Sequence, residues 1–309
     1  MPAVELTNVT KTYGQQVAVD DLSLAVPQGS VYGFIGPNGS GKTTTLRMIM
    51  RIIAPDRGTI RVLGDQSGSH GPANDRIGYL PEERGLYKQM KVREVLRFYA
   101  EIKGHRPTTA EIQDWLNRMG LPDVAEKKVE ALSKGMSQKV QFIATILAKP
   151  ELVILDEPFS GLDPGNAEVM REMVLSLKRE GRTVIFSTHD MSVAEDMCDF
   201  VFMIYKGKKV LDGTLAAIQQ RHGTDVLQVR FEQSNGSGRP SLENLPGVLN
   251  VTDLGNSQEL RIAPNSDRHA ILQELMRRGR IERFDIAHPS LHDIFLRIVK
   301  ADKGADTDA

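Results

Sequence analysis

One cysteine, Cys198, stands alone in 309 residues. A single thiol excludes an intramolecular disulfide and a cysteine-based zinc site, and it fits a reducing cytoplasm. Neither sign of charge is in excess. The 39 basic and 40 acidic side chains leave a net charge of -1, so nothing global attracts nucleic acid or an anionic membrane surface. Long apolar runs are also missing. The longest, such as Phe200–Tyr205, fall far short of the roughly 20 residues that a spanning helix needs. The opening MPAVELTNVTKTYG has no charged segment followed by an apolar stretch, so no secretory leader is expected. Work at a membrane would require another chain to hold this one there.

What is present is an ordinary globular composition, 40% hydrophobic and 26% charged, long enough for one large domain and a small one. In the first two-thirds, β-branched runs alternate with helical patterns, which argues for an α/β domain over residues 1–220. Strands are expected at Val4–Val9, Val17–Val26, Val31–Ile35, Thr59–Val62, Leu152–Leu155 and Thr183–Ser187, with a hairpin turning near Gly207. The runs LVILD and TVIFS lack alternation, as strands covered on both faces do. Helices are expected at Lys42–Met50, Val92–Ile102, Thr109–Met119, Met136–Ala148 and Asn166–Arg179. Residues 88–148 are strand-poor and read as a helical subdomain inserted into that core.

Composition shifts near Arg221–Thr224 and again at the Gly-rich run Ser234–Ser241. The patterns across 224–300 follow the order β-α-β-β-α-β, a small α+β module of ferredoxin-like type, with LENL as its first turn or helix. The tail 301–309 has no apolar residue larger than alanine and reads as disordered.

The chemistry is concentrated in a few motifs. GPNGSGKTT, Gly36–Thr44, follows VYGFI and opens a helix, the context that G-x-x-x-x-G-K-[ST] requires of a phosphate loop. A chance match in a chain of this size has odds of roughly one in a hundred. Glycines let successive N–H groups and the helix N-terminus approach phosphate oxygens. Gly36, Asn38, Gly39, Ser40, Gly41, Lys42, Thr43 and Thr44 make up the expected nucleotide-phosphate contact, Lys42 reaching the β- and γ-phosphates and Thr43 giving its hydroxyl to Mg²⁺. LVILDEP, Leu152–Pro158, is an apolar strand ending in two carboxylates. Beside a phosphate loop they acquire distinct tasks: Asp156 for the water shell of Mg²⁺, and Glu157 as the base that orients and polarises water.

Between these motifs lies LSKGMSQ, Leu132–Gln138. With SGLD and a later histidine, the ordered set over residues 4–215 resembles the ATP-binding cassette of ABC transporters. The resemblance implies a mixed core sheet with a helical subdomain, and a role for each matching residue. Tyr13 in KTYG would stack on adenine; alone, it reads as a half-buried tyrosine at a strand end. Ser133, Lys134 and Gly135 would meet the γ-phosphate held by an opposite protomer, chemistry suited to a helix N-terminus. Asp163 would link the two sites across the dimer, and His189 would contact the γ-phosphate. The working unit implied is two cassettes packed head to tail, as a homodimer or with a homologous partner, on the cytoplasmic face of a membrane permease.

Two departures from the family pattern stand out. Its glutamine after the IGYLP-type strand is here Glu82, which can still bind Mg²⁺ through oxygen but adds negative charge beside the phosphates. The signature reads LSKGM where LSGGQ is commonest, so Lys134 adds a positive charge and Met136 removes a polar contact. PEERGLY, LSKGMSQK and the ending SLHDIFLRIV together resemble the sodium-extrusion branch, whose members pair with separate ABC-2 type permeases and act as exporters. Sodium or drug efflux is the task that branch implies, and EERGLY, Glu83–Tyr87, is the expected docking site for the permease. The competing reading is a soluble ABC ATPase acting on ribosomes or DNA. Such proteins often carry two cassettes or long coiled-coil inserts, and this chain has one cassette and no such insert. A small-molecule kinase explains the phosphate loop but leaves LSKG, SGLD and His189 without a use.

Overall fold

The structure is a computed structural model that describes residues 1–66, 75–83, 85–222, 226–232, 240, 242, 245–263, 266–287 and 289–307. Arg84 lies outside the described residues, as does the run 234–241 apart from Pro240, and as do Glu243 and Asn244 of LENL. The chain divides into two compact units, Met1–Leu215 and Ala216–Ala309.

The first unit runs β1 (Pro2–Tyr13), β2 (Gln16–Pro27), β3 (Val31–Ile35), α1 (Lys42–Ile49), β4 (Arg57–Val62), β5 (Asp65–Gln66), β6 (Ile77–Leu80), α2 (Val92–Ile102), α3 (Thr109–Arg118), α4 (Lys134–Ile146), β7 (Leu152–Asp156), α5 (Pro164–Arg179), β8 (Thr183–Thr188), α6 (Met191–Met197), β9 (Phe200–Tyr205) and β10 (Lys208–Gly213). Six strands form a sheet in the order β10-β9-β3-β8-β7-β6, parallel throughout except for the β9–β10 hairpin. Strands β3, β7 and β8 are buried end to end. Alternate side chains nevertheless point to opposite faces. Val31, Val153, Leu155, Val184 and Phe186 pack with the helices α2 to α5. Tyr32, Phe34, Ile154, Ile185 and Phe202 pack with α1 and with an antiparallel sheet of order β2-β1-β4-β5. Burying each of these side chains contributes roughly 1.5–3 kcal/mol, so both faces of the central sheet are fixed by one short apolar sequence each.

Between β6 and β7 the chain is helical. Val92, Val95 and Leu96 of α2, Ile112 and Leu116 of α3, and Val140 and Ile143 of α4 recur at helical spacing and share one core. Glu94 accepts the Lys91 N–H at 3.0 Å and Thr108 accepts the Glu111 N–H at 3.1 Å, closing the first turns of α2 and α3. Helix α4 begins at Lys134 rather than at the expected Met136, because Ser133 caps it and accepts the Met136 N–H at 3.3 Å.

In the second unit, α7 (Leu215–His222), across whose start the division falls, leads to β11 (Val226–Phe231), β12 (Val248–Asp253), β13 (Gln258–Ile262), α8 (Arg268–Arg278), β14 (Ile281–Ala287) and α9 (Leu291–Thr307). The sheet order β12-β13-β11-β14, with every pair antiparallel, is that of a ferredoxin-like module. Leu227, Val229, Leu260, Ile262, Ile271 and Leu275 form its core. Ser290 and Asp293 cap α9 reciprocally, each accepting the other's backbone N–H. Helix α9 runs on to Thr307, into the segment expected to be disordered. Among the described residues no helix is long and apolar enough to cross a membrane.

Candidate active site

Residues 36–41 carry the chain from β3 into α1. At Gly41 φ is +110° and a Cβ would stand 2.5 Å from the Ala18 carbonyl. Neither the conformation nor the space admits a side chain. The loop borders a cleft of about 420 Å³ lined by Tyr13, Gln16, Ala18, Asn38, Gly39, Ser40, Gly41, Lys42, Thr43, Thr44, Glu82 and Glu157. Gly36 does not line it. Tyr13 is 51% exposed, leaving its ring open at the cleft. Ser40 Oγ is buried in the loop with no hydrogen-bond partner among the described residues. Buried hydroxyls are rarely left so, and an acceptor oxygen of a phosphate fits that position.

Lys42 is only 6% exposed. Its Nζ donates to the carbonyls of Gly36 at 2.6 Å and Pro37 at 3.2 Å, and stands 3.9 Å from the Glu157 carboxylate. Burial pushes this ammonium below the ordinary lysine range, while Glu157, Asp156 and Glu82 pull it back toward the charged form. The site thus holds a desolvated cation facing an anion-binding loop.

The two strand-end carboxylates diverge. In the β7–β8 register Asp156 lies opposite Ser187. Ser187 Oγ donates to Asp156 Oδ1 at 2.5 Å and accepts the Glu157 N–H at 2.9 Å. Thr43 Oγ1 is 3.5 Å from the same Asp156 oxygen. Glu157 then leaves the strand with φ +50°, a left-handed turn that costs a non-glycine residue roughly 1–2 kcal/mol. That turn carries its carboxylate to Lys42 and to His189, whose Nδ1 is 3.1 Å from both oxygens. His189 is 58% exposed while Glu157 is 9% exposed, so the histidine joins the buried carboxylate to solvent.

Ser187 went unread in the sequence, because a serine closing a strand is common and only the register reveals its neighbour. Ser187→Ala should cost roughly 1–3 kcal/mol by leaving a buried carboxylate and a backbone N–H short of a partner. Chemical denaturation monitored by circular dichroism checks this, and an unchanged midpoint would mean that water replaces the hydroxyl.

The other expected residues form a second group that does not line the cleft. Ser133 caps α4, with Lys134 and Gly135 in its first turn. Asp163 caps α5, accepting the Asn166 N–H at 3.0 Å. Those contacts hold its carboxyl below the usual aspartate range, the Asn166 backbone N–H contributing most and its side chain next. Gln138, another residue that sequence reasoning passed over, donates to the Pro158 carbonyl at 2.6 Å.

A glycine-walled phosphate loop, a buried lysine and two carboxylates with separate partners define the site of a P-loop nucleoside triphosphatase. The family profile described as ABC transporter matches residues 19–160, and that of the ATP-binding protein DrrA1-3-like C-terminal domain matches residues 213–299. The chain is 41% identical over 298 residues to the uncharacterised ABC transporter ATP-binding protein YhaQ of Bacillus subtilis, covering 96% of this chain and 98% of that one. It is 34% identical to the Nod factor export ATP-binding protein I of Sinorhizobium fredii, covering 96% of this chain and 85% of that protein. With the ABC transporter ATP-binding protein NatA of Bacillus subtilis, identity is 36% over 69% of this chain and 89% of NatA. A solved ATP-binding subunit of an ABC transporter superposes with a TM-score of 0.66 at 31% identity, covering 72% of this chain and 93% of its own. The chain belongs to the ATP-binding subunits of ABC transporters, and it is an ATPase. Subunits of this family bind nucleotide, dimerise and work with membrane permeases.

Proposed function

We propose that this chain powers export through a separate ABC-2 type permease, as a cassette dimer on the cytoplasmic face of the membrane. One observation carries the dimer. The N-terminus of α4, with Ser133 and Gly135, does not line the chain's own cleft, which supports an anion there being presented by a second cassette. ATP then lies between one protomer's phosphate loop and the other's LSKG, and it becomes part of the interface.

Within that sandwich Tyr13 stacks on adenine, and the N–H groups from Asn38 to Thr44 surround the phosphates. Lys42 holds the β- and γ-phosphates. Glu157 orients the attacking water and takes its proton, backed by His189, which also reaches the γ-phosphate. The Thr43 hydroxyl and the Asp156 and Glu82 carboxylates are hard oxygen donors of the kind Mg²⁺ takes, and Mg²⁺, when bound, neutralises charge developing on the phosphates. Ser133, Lys134 and Gly135 meet the partner's γ-phosphate, and Asp163 links the two sites. Binding closes the dimer and hydrolysis removes the bridging contact, a ligand-biased switch.

Export is supported by the family match and by the named task of the Nod factor export relative. Permease docking is supported by an exposed aromatic cluster beside residues 82–87. Tyr87 and Phe98 meet edge to face with centroids 5.5 Å apart, and both are exposed, as is Ile102. The segment is tied down from beneath, Tyr99 donating to the Gly85 carbonyl at 3.0 Å and Gln141 to that of Glu83 at 3.3 Å. Glu83→Lys should weaken permease association by about tenfold or more through a reversed rim charge, with ATP binding unchanged. Co-purification of tagged chain from detergent-solubilised membranes tests the whole reading. A stoichiometric multi-span protein supports it, and equal recovery with Glu83→Lys would remove this docking surface. Ribosomal proteins or nucleic acid in its place would leave the ATPase and overturn the exporter.

A further inference from the structure

Tyr13 is the last residue of β1 and pairs with Gln16 across a turn in which Gly14 has φ +59°. A strand end with its ring half out of the protein is loosely held unless something ties it down. The tie here is Asp56, in the loop between α1 and β4. One of its carboxylate oxygens accepts the Thr12 N–H and the Thr12 hydroxyl, both at 2.7 Å, and the other accepts Lys11 Nζ at 2.8 Å. Its own N–H donates to the Thr10 carbonyl at 2.9 Å. One residue thus grips three consecutive positions of β1 immediately ahead of the tyrosine.

Lys11 and Tyr13 stand two apart on a strand, so their side chains share a face. Lys11 Nζ lies over the Tyr13 ring, 5.6 Å from its centroid, within the range at which an ammonium is attracted to an aromatic face. With the ammonium on one face, the opposite face is the one left for a base. The Lys11 side chain is only 17% exposed, so it is held against the protein rather than swinging in solvent. The Lys11 hydrogen bond, followed by those of Thr12, keeps the Asp56 carboxyl well below the usual aspartate range, which makes it a permanent anion for the lysine. Lys11, Thr12 and Asp56 do not line the cleft. Any effect they have on a nucleotide runs through the ring.

We propose that Asp56 and Lys11 are positioning residues for the nucleobase: Asp56 fixes the end of β1, Lys11 fixes the ring, and together they present Tyr13 as a rigid platform. Rigidifying a contact surface in its bound form raises affinity by removing the cost of ordering it. The phosphate loop takes no part in the clamp. The pair therefore sets how tightly the base is held and leaves the phosphates and the chemistry alone. The inference rests on the adenine-stacking reading of Tyr13 given under the proposed function.

The test compares two ligands on the full chain, ATP and inorganic tripolyphosphate, each with Mg²⁺. Asp56→Ala should raise the KM for ATP about fivefold or more, toward the value of Tyr13→Ala. Its kcat should stay within about twofold, as lost uniform binding requires, and the inhibition constant of tripolyphosphate should not move. Lys11→Met keeps the stem and loses the charge, and should raise the KM about two- to fivefold. Lys11→Arg should keep it, since a guanidinium both pairs with carboxylate and stacks on a ring. Adding Asp56→Ala to Tyr13→Ala should bring no further loss, because the two act through one ring. A clamp that merely stabilised the fold would weaken both ligands, or act equally with and without the ring. An unchanged KM in Asp56→Ala overturns the proposal, as does equal weakening of tripolyphosphate or full additivity with Tyr13→Ala. Should Asp56→Ala misfold, Asp56→Asn gives the same comparison, keeping an acceptor for Thr12 and losing the ion pair with Lys11. If Tyr13→Ala binds ATP as the unaltered chain does, the stacking reading fails and takes the clamp with it. If Tyr13→Ala weakens ATP and Asp56→Ala does not, the stack stands and only the positioning role fails.

Discussion

Glu157→Gln should lower ATP turnover by roughly 10²–10⁴-fold, the range that a lost general base costs, while ATP affinity is retained. The amide matches the carboxylate in shape, so it fits the same buried slot and keeps an oxygen for His189, now 3.1 Å from both carboxylate oxygens. It does not accept a proton from water. The Lys42 ammonium loses an anion at 3.9 Å, which leaves more of its charge for phosphate. Binding therefore survives and the bridging nucleotide persists, so a stable ATP-dependent dimer should appear in size-exclusion chromatography with light scattering. Near-normal hydrolysis would take the base role away from Glu157. Lost binding would mean that the carboxylate shapes the loop, through its left-handed backbone and its contact with Lys42.

Much of this site was legible because its parts are local. GPNGSGKTT names its own turn, and the apolar runs ahead of Gly36 and Asp156 could only be strands covered on both faces. What escaped was set by register. Ser187 and Asp156 are 31 residues apart, and only the parallel pairing of β7 with β8 brings them together. Strand β6, named in the sequence only through the family's IGYLP pattern, is four residues long, and one of its residues is Gly78, whose Cβ position lies 2.6 Å from the Thr145 carbonyl. A short strand kept bare for a helix packed against it carries little β propensity to read. Helix α6 spans seven residues and α7 eight, too short for a periodicity to separate from noise. In the second unit the elements could be read in order from alternation. The pairing of β11 between β13 and β14 is a long-range choice that no local pattern encodes, and the extent of α9 was hidden by a stretch without apolar residues.

Lys42→Ala should abolish turnover and weaken ATP binding by about 100-fold or more, equivalent to about 2.8 kcal/mol. The magnitude follows from what the ammonium does in its slot. Its donors now satisfy the Gly36 and Pro37 carbonyls, and they can be redirected to phosphate with little desolvation left to pay, because the burial that depresses its pKa has already been imposed by the fold. Charge-assisted hydrogen bonds from such a group are roughly twice as strong as neutral ones. Alanine removes them and leaves Glu157 facing the γ-phosphate without a cation between them, so repulsion adds to the loss. Lys42→Arg should not rescue binding, since a planar guanidinium demands a wider, forked site than a position 6% exposed provides. Folding should survive, because removing a desolvated charge offsets part of the lost hydrogen bonding. Titration with a fluorescent ATP analogue, beside thermal melts of the same samples, separates these effects. A melt unchanged within a few degrees with binding gone assigns the ammonium to the nucleotide. Binding within threefold of the unaltered chain would instead make Lys42 a brace for the loop carbonyls, and the backbone N–H groups would have to hold the phosphates alone.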